Sequence, residues 1–147
     1  MKKYIILFIV VILLSGCGAS KKTLTINGMY IGKKVFATPE YKVMDASYSY
    51  EENYVGYDVD RDKRVKSMVF YRSEDHLGKE TYGLSDANLF YHGKHLDTTE
   101  KVIECFGKNY VPNKKKDYET IKYEDDELIV EVQLYKGEFN GIIVEQK

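Results

Sequence analysis

His92 and His95 stand three residues apart with Asp97 close behind, and two imidazoles with a carboxylate form a donor set that Zn²⁺ accepts. A metal there would equip the chain as a small metal-dependent hydrolase. The spacing puts all three at a junction of strand, turn and helix, where two solvated histidines in a turn are the simpler reading, so we expect no metal. His76 stands alone. The Cys105 thiol is a nucleophile only beside a base and in accessible, electropositive surroundings. Its spacing from Val102 and Phe106 places it on the apolar face of a helix instead. Glu124, Asp125, Asp126 and Glu127 lack the alternating ligands and central glycine of a calcium loop and read as a solvated turn. Lys114, Lys115 and Lys116 read as an exposed loop that could touch anionic lipid or polymer. The chain holds no phosphate-cradling glycine loop and no Gly-x-Ser-x-Gly elbow, so these residues point to no catalytic set and no cofactor.

Cys17 belongs to a different chemistry. Lys2 and Lys3 make a charged start, Tyr4 to Leu14 an unbroken apolar run, and Ser15-Gly16 a pair of small residues that a peptidase can admit beside the scissile bond. At about 1.5 Å per residue this run falls well short of the roughly 30 Å hydrocarbon core, so it reads as a signal segment and not as a retained span. Leu14-Ser15-Gly16-Cys17 resembles the lipobox of bacterial lipoproteins. That resemblance implies a diacylglycerol on the Cys17 sulfur, removal of residues 1–16, and a protein lipid-anchored at the cell membrane and facing outside the cytoplasm. Lipid chains contribute about 0.8 kcal/mol per buried methylene, so two or three together hold firmly. Residues 17–23 form the lipidated N-terminus and a short tether. Gly18 to Lys22, fully extended, reach no more than about 18 Å, so the folded part is expected close to the bilayer.

What remains after the signal is one ordinary domain or two small modules sharing a core. The chain carries 22 Lys+Arg and 23 Asp+Glu, and the signal removes Lys2 and Lys3. The mature balance of 20 against 23 is mildly acidic and argues against nucleic acid as a partner, which needs a clustered basic face. With Cys17 taken by lipid, Cys105 has no partner for an internal disulfide, so hydrophobic burial has to hold the fold.

The clearest element lies in the last third. Leu128, Val130, Val132 and Leu134 alternate with Ile129, Glu131, Gln133 and Tyr135, the period of two of a strand with one buried face. Thr120 to Glu124 and Phe139 to Glu145 flank it across polar turns, which predicts a three-stranded antiparallel meander. Ahead of it, Asp97 to Gly107 reads as a short helix. Asp97 is the expected cap, Glu100 its capping-box partner, and Gly107 a left-handed stop. Val102, Ile103, Cys105 and Phe106 share one face of that helix, which should pack on the sheet. Ala87 to His92 reads as a strand leading in. In the first half, Tyr54 to Val59 and Val65 to Tyr71 form a second meander around the charged turn at Asp60 to Lys63. Each meander closes on a strand after a polar turn, which reads as a degenerate internal duplication. We therefore expect an α+β fold with a first β-rich module over 24–72, a linker over 73–86 and a second module over 87–147.

Tyrosine is in surplus, and Tyr48, Tyr50, Tyr54 and Tyr57 crowd the first module. Strand packing accounts for tyrosine in general. If these four share an outward face, they form a rigid, amphipathic surface suited to partner binding.

Thr98, Val102, Phe106-Gly107, Tyr123 and Gly141-Ile142 together resemble the modules of the SmpA/OmlA small envelope lipoproteins and the similar β-lactamase-inhibitor-protein-like fold, often a tandem pair. The resemblance covers residues 93–146. It implies a non-catalytic binding or accessory module of the cell envelope, or an enzyme-inhibitor-like protein, whose partner is an envelope protein or extracellular ligand and which supplies no catalytic residues.

Overall fold

Alternation decides the sheet. In the computed structural model, which describes residues 23–36, 50–52, 54–74, 77–108 and 113–147, the strands β10 (Tyr118–Glu124), β11 (Leu128–Tyr135) and β12 (Glu138–Gln146) form the expected antiparallel meander. Leu128, Val130, Val132 and Leu134 are all buried, each at 4% exposure or less. The turn before β11 is held by Asp125, whose Oδ1 accepts the N–H groups of Glu127 and Leu128 at 2.8 and 2.7 Å. Such side-chain acceptance is the usual reason an aspartate sits at a turn.

The first half supplies β1 (Leu24–Thr25), β2 (Tyr50–Glu52), β3 (Val55–Val59) and β4 (Val65–Tyr71). Then follow β5 (Ser73–Glu74), β6 (Glu80–Tyr82), β7 (Phe90–Tyr91), β8 (Lys94–His95), the helix α1 (Thr99–Phe106) and β9 (Asn113–Lys115). β4 pairs antiparallel with β12, from Gly141 opposite Tyr71 to Glu145 opposite Ser67. The two meanders therefore run together as one seven-stranded sheet, ordered β2-β3-β4-β12-β11-β10-β9. A small sheet, β1-β7-β8, ties the first residues of the fold to the segment before the helix.

One core lies between these layers. Val102 and Phe106 of α1 share one buried cluster with Leu24, Ile26, Met29, Leu89 and Leu96 and with the inward residues of the large sheet, and the helix packs against β10 and β12. Each fully buried aliphatic or aromatic side chain contributes roughly 1.5–3 kcal/mol relative to exposure, so this layer is the principal source of stability. Among the described residues no helix is long and apolar enough to cross a membrane.

Several boundaries differ from the expectation. The helix cap is Thr98, not Asp97: Thr98 is extended at φ −133° and its hydroxyl accepts the Lys101 N–H at 3.3 Å. With the cap one residue later, Asp97 turns its carboxylate to Lys101 Nζ at 2.6 Å. Gly107 is not left-handed, since its φ is −84°. Glycine is needed there for close approach, because a Cβ would lie 2.4 Å from the Ile103 carbonyl oxygen. The strand expected over Ala87 to His92 shrinks to Phe90–Tyr91, because residues 84–88 turn, closed by the Ala87 N–H on the Leu84 carbonyl. Within the expected linker, β5 and β6 pair as a hairpin, and Tyr82 packs against the core.

Candidate functional site

A concavity arises where β7 turns into β8 and faces α1. His92 and Gly93 both take positive φ, 47° and 75°, so Tyr91 and Lys94 can pair across a tight two-residue turn. That turn projects His92 and Lys94 to one side. Along the helix, Lys101, Glu104 and Cys105 recur at spacings of three and four and so share one face, and Lys108 follows just past the Gly107 cap to line the same groove. Between hairpin and helix lies a groove of about 630 Å³, floored by Tyr91 and Leu96.

The groove is cationic. Lys94, Lys101 and Lys108, with His92 and His95, line it against the single carboxylate of Glu104. Asp97 stands at its border, where its bond to Lys101 Nζ opposes burial and, with Lys101 and His95 charge nearby, holds its carboxyl below the usual range. His95 Nδ1 lies 3.8 Å from Asp97 Oδ2, its ring stacks on Phe90 at 4.7 Å, and its Nε2 is buried with no hydrogen-bond partner. Cys105 is half-buried, and burial pushes its thiol up; Glu104 pushes the same way, while Lys94 and Lys108 oppose both. A thiol so raised is a weak nucleophile at neutral pH. Beneath the groove, Tyr91 shares a 3.0 Å hydroxyl bond with Tyr123 and donates to Asp125 Oδ2 at 3.3 Å. Burial, then Tyr123 and Asp125, hold the Tyr91 hydroxyl far above the ordinary tyrosine range, so it stays a neutral donor.

His92, His95 and Cys105 therefore meet at one place. Among the described residues no three His, Cys, Asp or Glu side chains converge to hold a metal ion. What the arrangement can do is attract an anion, through lysine charge and imidazole N–H groups around a half-open cavity. Sequence reasoning did not single out Lys94, Lys101 or Lys108, which the fold brings together around the groove. Only Lys101 lies on the helix itself, while Lys94 sits on β8 and Lys108 just past Gly107, so no single local pattern groups them.

The tyrosines do not form one surface. Tyr57 is 4% exposed and belongs to the core, because it lies in register with inward-facing Met68. That corrects the expectation of an outward face for this residue. Tyr50 is registered opposite Tyr57 on β2. Tyr54 is 62% exposed, sits in the left-handed region at φ 62°, and stacks on Tyr82 at 4.1 Å. Tyr48 and Cys17 lie outside the described residues. The outer face of the sheet instead presents Tyr71 and Tyr118, the latter against Tyr135 at 4.9 Å. Lys115 closes β9 opposite Tyr118, and Lys116 follows in a left-handed turn at φ 60°.

Comparison with models of known families, with curated proteins and with solved structures finds no match.

Proposed function

We propose that this chain is a lipoprotein held on the outer side of the cell membrane by lipid on Cys17, and that it works there as a non-catalytic binding or accessory module of the cell envelope. The observation that carries this reading is the N-terminal order of Lys2-Lys3, an apolar run to Leu14, then Ser15-Gly16-Cys17. It is supported by a cationic groove in the folded part that is suited to holding a ligand.

We further read the folded part as two degenerate tandem modules related by an approximate dyad. Three features favour this. β4 and β12, the closing strands of the two meanders, pair antiparallel with each other. The strand before each carries a register shift near its turn, between Asp58 and Val59 on β3 and between Gln133 and Leu134 on β11. Leu24-x-Ile26-Asn27-Gly28 answers Leu89-x-Tyr91-His92-Gly93, and each Asx/His-Gly pair turns with positive φ at both residues. The Asn27 N–H donates to the Ala87 carbonyl at 3.0 Å and the His92 N–H to the Thr23 carbonyl at 2.7 Å, a nearly reciprocal pair.

The test of the lipoprotein reading is metabolic labelling with an alkyne fatty acid in a bacterial host. Wild-type chain should take up label and fractionate with membranes, and Cys17→Ser should do neither. Label retained by Cys17→Ser would refute it.

A further inference from the structure

The tether and the groove meet. The described fold begins at Thr23, and its carbonyl accepts the His92 N–H at 2.7 Å, while Leu24 and Thr25 pair with Tyr91 and Phe90 of β7. The chain that leads back to Cys17 therefore leaves from beside the His92-Gly93 turn, at the rim of the cationic groove. Five residues, Gly18 to Lys22, separate Thr23 from Cys17, so the two lie no more than about 22 Å apart. A domain on so short a tether, if Cys17 carries lipid, has to present its tether side to the membrane.

We infer that the groove lined by His92, Lys94, His95, Lys101 and Lys108 binds the phosphodiester headgroup of an anionic phospholipid in the same leaflet that holds the Cys17 lipid. The inference rests on the lipoprotein reading and deepens it. Three observations carry it. The groove gathers three lysines and two histidines against Glu104 within it and Asp97 at its border, in a chain whose overall charge is −1. Its position beside Thr23 points that charge at the bilayer, where a basic side chain near an anionic surface is worth about 1 kcal/mol, or roughly fivefold in partition. Its size and partial enclosure let a headgroup be seated. Lys101 already shares its charge with Asp97, so Lys94 and Lys108 are the residues whose loss should matter most.

Cys105 lies in the groove and reports its occupancy. The lipidated full chain is placed in vesicles of phosphatidylcholine alone or with about a third phosphatidylglycerol, and Cys105 alkylation by iodoacetamide is timed by mass spectrometry. Alkylation should be about fivefold or more slower on the anionic vesicles. This protection should vanish in the Lys94→Gln/Lys108→Gln double variant and persist in Lys122→Gln, whose lysine pairs with Glu131 on β11. The Lys122→Gln arm controls for the loss of a lysine charge outside the groove, and a general effect of surface potential on the thiol would survive in the double variant. Equal rates on the two vesicles, or protection that survives loss of both lysines, would overturn the inference. Equal protection by glycerol phosphate on neutral vesicles would overturn the lipid assignment in favour of a soluble phosphate. Two alkylated thiols per chain would show Cys17 unmodified, which removes the lipoprotein reading and this inference with it; the thiol count keeps the two failures apart.

Discussion

Thr99 Oγ1 accepts the N–H of Phe139 at 3.0 Å and donates to Glu138 Oε2 at 3.1 Å, so one buried hydroxyl fastens the first turn of α1 to the start of β12. The helix carries Lys101 and Cys105 of the groove and leads into Lys108 just past its end, and this contact fixes its position over the sheet. Thr99→Val keeps the shape but leaves the Phe139 N–H without its acceptor, and should cost about 1–3 kcal/mol in denaturant unfolding. Thr99→Ser should recover most of that loss.

Gly141 is glycine because Tyr71 lies across it. A Cβ at this position would come 2.3 Å from Tyr71 Cδ1 and 2.9 Å from the Phe70 carbonyl oxygen. Gly141→Ala should therefore destabilise by about 1–3 kcal/mol at the junction of the two meanders. Adding Tyr71→Ala should cost less than the sum of the two single changes, because the ring is no longer there to displace. Strict additivity in a double-mutant cycle would place the strain elsewhere.

Tyr57 and Tyr54, three residues apart in the first half of the chain, should behave differently. Tyr57→Ala removes a core ring and should cost about 3–5 kcal/mol. Tyr54→Gly relieves a left-handed non-glycine backbone worth about 1–2 kcal/mol and loses a stacked pair of about 0.5–1.5 kcal/mol, so its stability should stay near wild type. Thermal melts of the two variants separate these outcomes.

Acid should weaken the fold through Asp125. Burial raises this carboxyl, but the N–H groups of Glu127 and Leu128, the Tyr91 hydroxyl and the charge of His92 together hold it below its ordinary value. A carboxylate depressed in the folded state contributes stability above its unfolded pKa, near 3.9, and that contribution disappears as pH falls through the lower folded value. Unfolding free energy should decline below about pH 4, and Asp125→Asn should show a shallower decline over the same window.

The last three strands were legible because Leu128 to Tyr135 alternates strictly and polar turns bound it on both sides. The helix was legible from Val102 and Phe106, although its cap fell on Thr98 because two adjacent residues could each accept the first amides. The joining of the meanders into one sheet was not, since the β4–β12 pairing links residues about 70 positions apart and no local pattern selects a strand's second neighbour. The burial of Tyr57 depended on the same non-local register. The groove was hidden for a similar reason: His92 and His95 attracted notice as metal ligands, whereas Lys94 and Lys108 acquire their meaning only when the β7–β8 turn is folded against α1.

The most direct test of the account is the intact mass and N-terminal sequence of the chain extracted from membranes of a lipoprotein-processing bacterium. The account predicts a chain that begins at Cys17 and carries a thioether-linked diacylglycerol. A chain recovered from the medium that begins at Met1, or one in which Cys17 carries a free thiol, would contradict it.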